Sequence, residues 1–113
     1  MVINPTITEV MEEENGCKLA LFIPKDLEYF SGHFNGSPIL AGVVQLDWAI
    51  KFAKEYLPFD SFIFDRVEVL KFQVIIQPED NVILELIKVS EKKFKFSYIS
   101  NKGKHAFGRV ILK

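Results

Sequence analysis

The stretch PILAGVVQLDWAIKFAKEYLP, residues 38–58, decides the architecture. Prolines bracket it, and proline suits a helix entry but cannot continue a helix past its end. Between them Leu40, Val43, Val44, Leu46, Trp48, Ala49, Ile50, Phe52 and Ala53 are apolar. The spacing predicts one helix from about Leu40 to Leu57, roughly 27 Å long at 1.5 Å per residue. Apolar residues lie nearly all round it, which predicts a buried helix. Asp47 stands in the middle of this run, and a buried carboxylate is costly unless it is compensated or protonated.

The rest of the chain reads as strands. Val2 to Glu12 is rich in β-branched residues, and Asn15-Gly16 is a hairpin turn signal. Lys18 to Ile23 follows and stops at Pro24. Lys25 to Ser37 reads as a loop with a helical turn near Asp26. After Pro58, strands are predicted over Phe62 to Val74, Val82 to Val89, Phe94 to Tyr98 and Lys104 to Leu112. Hairpins can join these last four directly. Two strands, one long helix and four strands predict an α+β fold, with the helix in the concave face of a curved antiparallel sheet of five to six strands.

With 113 residues the chain suits a single domain spanning 1–113. It is 49% hydrophobic with eleven Phe, too apolar for a disordered segment. The net charge of -1 argues against nucleic acid or an anionic membrane as partner. Cys17 is the only cysteine, and with two histidines no dedicated metal site is expected. A lone cysteine and no signal segment point to a reducing, cytoplasmic setting.

Two readings of Asp47 stand side by side. It can lie on a polar helix face with Gln45, Lys51, Lys54 and Glu55, pairing with Lys51 one turn on. Or it can line an interface pocket as a general acid or base. His33 is either a structural histidine or a reactive one. It lies in a Gly-Pro loop with Gly32, Gly36 and Pro38, whose backbone path is restricted. Gly42 falls in the first turn of the helix, where an N–H lacks an intrahelical acceptor and can bind a carbonyl that turns negative during reaction. His105, after the Lys102-Gly103-Lys104 turn, reads as a surface or edge-strand residue.

Gly32-His33-Phe34-Asn35-Gly36-Ser37-Pro38-Ile39-Leu40-Ala41-Gly42-Val43 resembles the active-site loop and helix start of the hot-dog-fold 3-hydroxyacyl-[acyl-carrier-protein] dehydratases. The fourteen positions from His33 to Asp47 match that family's spacing from histidine to carboxylate. Gly42 to Ala49 is closer still to the small dehydratase-like proteins of aryl-polyene gene clusters. Asn35 and Ala41 depart from the family pattern: many members have proline at the first place, and most have it at the second, directly before the helix glycine.

The resemblance implies a hot-dog fold and a carbon-oxygen lyase needing no cofactor. His33 would be the base, Asp47 the acid and Gly42 the donor to the thioester carbonyl. Phe34, Gly36, Pro38, Val43 and Trp48 would touch substrate, with core packing the other place for Trp48. It also implies an acyl carrier protein as substrate carrier and a homodimer with shared active sites. A hot-dog thioesterase and a non-catalytic subunit are the competing functions.

Overall fold

The computed structural model describes residues 1–31 and 37–113. His33, Phe34, Asn35 and Gly36 therefore lie outside the described residues. The elements in order are β1 (Thr6–Glu13), β2 (Gly16–Phe22), a 3-10 turn (Glu28–Phe30), α1 (Gly42–Tyr56), β3 (Phe64–Phe72), β4 (Asn81–Ser90), β5 (Lys93–Ser100) and β6 (Gly103–Leu112). The six strands form one sheet in the order β1-β2-β4-β5-β6-β3, every pair antiparallel.

Turn chemistry sets most of the strand ends. Asn15 takes φ 57, the left-handed conformation that asparagine tolerates, and it closes the β1–β2 hairpin. Val2 does not belong to β1. Pro5 intervenes, and Val2 instead bridges Leu27 and accepts from the N–H of Glu28. Only β4–β5 and β5–β6 are hairpins among the last four strands. β3 is not joined to β4 by a hairpin but crosses to the far edge and pairs with β6.

The helix begins two residues later than the apolar run predicts. Leu40 donates its N–H to the carbonyl of Ile76, and Ala41 stays extended at φ -60, ψ 146. A long-range bond thus overrides local helix preference. The helix is not buried all round either. Its buried residues are Val44, Gln45, Trp48, Ala49, Phe52 and Ala53, a stripe at spacings of three and four. Asp47 and Lys51 face out, and Val43 is 72% exposed.

The buried stripe packs on inward residues of the sheet, among them Leu19, Leu21, Leu84, Leu86, Phe94, Phe96 and Tyr98. Each fully buried side chain of this size contributes roughly 1.5–3 kcal/mol. The two sheet edges differ. The β1 edge carries Glu9, Glu12 and Glu13, charges that discourage pairing with another chain. The β3 edge exposes Phe64, Leu70 and Phe72.

Candidate active site

The entrance of α1 and the exit of β3 enclose a pocket of about 370 Å³. Ile39, Leu40, Gly42 and Gln45 line one side, and Phe72, Gln73, Val74 and Ile75 the other. Gly42 is the first residue of α1, and among the described residues its N–H has no backbone acceptor. Such an N–H carries part of the positive end of the helix dipole. The ring of Phe72 covers the bare face of this glycine. A Cβ there would come 2.6 Å from the ring tip. Phe72 itself is 48% exposed, so an apolar ring stands over the glycine Cα with one side open.

Asp47 lies five residues further along α1 and is exposed. It is not among the residues that line this pocket. At 1.5 Å per residue it stands roughly 7.5 Å up the axis from Gly42. Val43, one turn below Asp47, is the most exposed apolar side chain of the helix. The expected partner of Asp47 is engaged elsewhere, because the ammonium of Lys51 donates to the Asn4 side-chain oxygen. Among the described residues no cation lies within ion-pair distance of Asp47.

Of the other expected site residues, Pro38 is half-buried just before the pocket wall. Trp48 is 1% exposed; its indole N–H donates to the Ile3 carbonyl at 3.2 Å, and Tyr29 meets it edge-on. Of its two possible places it occupies the core. His33, Phe34 and Gly36 fall outside the described residues.

Gln45 departs from its expected place. It is 3% exposed and belongs to the buried stripe, not to the polar face. Its spacing to Trp48, Ala49 and Phe52 (three, four and seven) already carried that signal. Its side-chain amide donates to the Leu40 carbonyl at 3.0 Å, and its own backbone carbonyl accepts from the Tyr98 hydroxyl at 2.6 Å. Burial drives the Tyr98 phenol well above its usual pKa, and the nearby Asp47 carboxylate adds to the shift.

His105 is neither a surface nor an edge-strand residue: it is fully buried, and β6 is an interior strand. Its Nδ1–H is shared between the carbonyls of Val74 and Ile75, both at 3.1 Å. Carbonyls can only accept, so Nδ1 carries the proton. In the neutral ring Nε2 accepts from the Ser100 hydroxyl at 2.6 Å. His105 therefore fixes the Val74–Ile75 wall of the pocket and is a structural histidine.

Among the described residues, no group of three His, Cys, Asp or Glu side chains is placed to hold a metal ion. Nor is any helix there long and apolar enough to cross a membrane.

Comparison with known proteins bears on this geometry. A family model described as ApeI-like (ApeI dehydratase) matches residues 9–109. The 3-hydroxyacyl-[acyl-carrier-protein] dehydratase FabZ of Sodalis glossinidius (strain morsitans) is 32% identical over 73 residues, which cover 58% of this chain and 48% of that protein. The chain thus spans about half the length of the curated relative it matches. Among solved structures, the dehydratase heterocomplex ApeI:P from Xenorhabdus doucetiae superposes with a TM-score of 0.87 at 25% identity, over 97% of this chain and 98% of that one. An uncharacterized protein from Erwinia carotovora subsp. atroseptica gives 0.80 at 30% identity, over 100% and 97%. The six-stranded antiparallel sheet around one helix is the hot-dog fold of these neighbours.

Proposed function

Because the chain belongs to the ApeI-like dehydratase family, we propose that it removes water from a 3-hydroxyacyl thioester borne on an acyl carrier protein, leaving the trans-2-enoyl thioester. The observation that carries this reading is Gly42. Gly42 lines an apolar pocket at the positive end of the helix, and among the described residues its N–H has no backbone acceptor. A thioester carbonyl seated there becomes more polar, and negative charge on its oxygen is stabilised as the α-proton leaves.

His33 takes the proton from C2. The electron pair passes through the enolate held by Gly42. Asp47 gives a proton to the 3-hydroxyl, the C3–O bond breaks and water departs. The C2–C3 double bond forms, and the proton on His33 returns to Asp47 through solvent. Each positioned acid or base typically contributes about 10²–10⁴ in rate.

In this reading the site is shared between two copies of the chain, His33 of one working with Asp47 of the other. Two features support this. The β3 edge exposes Phe64, Leu70 and Phe72, and the outer face of α1 exposes Val43 beside Asp47. Such apolar exposure next to an unpaired strand edge is what a second chain covers. The Xenorhabdus relative forms a heterocomplex, so a dissimilar second subunit is the other form this interface takes. The free, buried Cys17 suits a reducing, cytoplasmic setting.

The test is incubation of the purified chain with 3-hydroxyacyl thioesters on carrier protein, followed by mass spectrometry. Loss of one water supports the reading. Release of the free acid would replace it with a thioesterase. No change across chain lengths and aryl acids, even with a second subunit added, would refute it.

A further inference from the structure

Gln45 is a costly residue where it stands. It is almost fully buried, and its Oε1 has no hydrogen-bond partner among the described residues. A buried acceptor without a partner destabilises the fold, whereas an apolar side chain of similar shape avoids that cost. The other half of the amide is engaged. Nε2–H donates to the carbonyl of Leu40, two residues before the helix begins.

That carbonyl belongs to the peptide joining Leu40 to Ala41, next to the one whose N–H is Gly42. Ala41 adopts φ -60, ψ 146 with no side-chain cap hydrogen bond, and alanine alone does not hold a chain there. Two groups pin the entry instead. The Leu40 N–H is tied to Ile76, and the Leu40 carbonyl is tied to Gln45. Gln45 is itself anchored to the sheet, since its backbone carbonyl takes the Tyr98 hydroxyl.

We propose that Gln45 is the positioning residue for the Gly42 N–H: by holding the Leu40 carbonyl it fixes the peptide run that aims that donor into the pocket. The inference rests on the reading of Gly42 as the donor to the thioester carbonyl. It explains why a half-satisfied amide occupies a core position.

The backbone supplies its own control. A φ of -60 is a proline value, and among the described residues the Ala41 N–H has no backbone acceptor. Ala41→Pro therefore fixes the same entry without Gln45.

Three readouts test the inference on the wild type, Gln45→Met, Ala41→Pro and the double variant. They are the melting temperature, the ¹⁵N order parameter of Gly42, and kcat and KM for hydrating trans-2-enoyl thioesters on carrier protein. Gln45→Met is expected to melt near the wild type while the Gly42 order parameter falls from about 0.85 to below about 0.6. Its kcat is expected to fall roughly ten- to hundredfold, the scale of a small misplacement, with KM nearly unchanged. Ala41→Pro added to Gln45→Met is expected to restore both. Gln45→Leu serves if the methionine variant does not fold.

An unchanged Gly42 order parameter in the Gln45 variants overturns the inference. So does a looser Gly42 with undiminished kcat, or a rescued order parameter with no recovery of kcat. If the wild type itself hydrates no enoyl thioester, the dehydratase reading fails, and the order parameter alone still decides whether Gln45 holds Gly42.

Discussion

The hydroxyl of Tyr98 donates to the backbone carbonyl of Gln45 at 2.6 Å, joining the interior of the sheet to the first turns of α1. Tyr98 is fully buried, and burial holds its phenol neutral well above the usual range, with Asp47 adding to the effect. Tyr98→Phe is expected to cost about 1 kcal/mol, the net worth of one such bond. In a thermal melt that is a fall of roughly 4–8 °C. The folded phenol loses its proton later than the unfolded one, so its contribution is intact below pH 10 and is lost as the pH rises further. The variant should lack that loss above pH 10, and an equal slope in both proteins would contradict the assignment.

Cys17 gives a second alkaline signature. Burial first, then Glu12 and Glu13, pushes its thiol from 9.0 up to about 11. Above pH 9 the unfolded chain sheds this proton while the folded chain keeps it, so stability falls between pH 9 and 11. Denaturant titrations of Cys17→Ala should show a flatter limb across that window. A slope equal to that of the wild type would exclude the thiol as its source.

Gly42→Ala separates stability from activity. The added Cβ meets the tip of the Phe72 ring at 2.6 Å, and a half-exposed ring can swing away. Alanine is also the better helix former, by up to about 1 kcal/mol. The melting temperature should hold or rise. The kcat should fall roughly tenfold, less than the 10²–10³ of losing an oxyanion donor outright. Unaltered kcat would show that the carbonyl binds elsewhere.

His105→Ala acts on the pocket wall. It strips hydrogen bonds from the carbonyls of Val74 and Ile75 and from Ser100, and leaves a void in a fully buried place. A loss of about 3 kcal/mol in chemical denaturation is expected, the upper range for a buried network. A loss under about 0.5 kcal/mol, the range of neutral surface changes, would return His105 to the surface role its place after a turn suggested.

Sequence patterns reached the order of the elements because proline, asparagine and glycine mark the turns, and because Phe94, Phe96 and Tyr98 alternate with polar residues along β5. They missed what long-range pairing decides. Leu40 continues the apolar helix pattern, yet its N–H is claimed by Ile76. His105 follows a polar turn, yet β6 is enclosed between β5 and β3. β3 reads as the next strand of a meander, yet it lies at the far edge. At the site, Gly42 was legible as a residue of the first helical turn, though the helix starts at Gly42 itself and not at Leu40. Gln45 was not, because its type argued for the surface while its spacing argued for the core.

The edge of β3 makes the assembly testable. Leu70→Lys puts a charge on the exposed apolar edge. Native mass spectrometry should give twice the chain mass for the wild type and the single chain mass for the variant. A wild type that stays single at micromolar concentration, and pairs with no second subunit, would contradict a shared site.

Asp47→Asn carries the central claim. The substitution keeps the size of this exposed side chain and removes its capacity to exchange a proton with the substrate oxygen. Wild type and variant are each given a trans-2-enoyl thioester on carrier protein, and the rate of water addition is followed by mass spectrometry. Hydration by the wild type and a loss of about 10²–10⁴ in rate for the variant are expected, at unchanged melting temperature. Equal rates in the two proteins would contradict Asp47 as the acid.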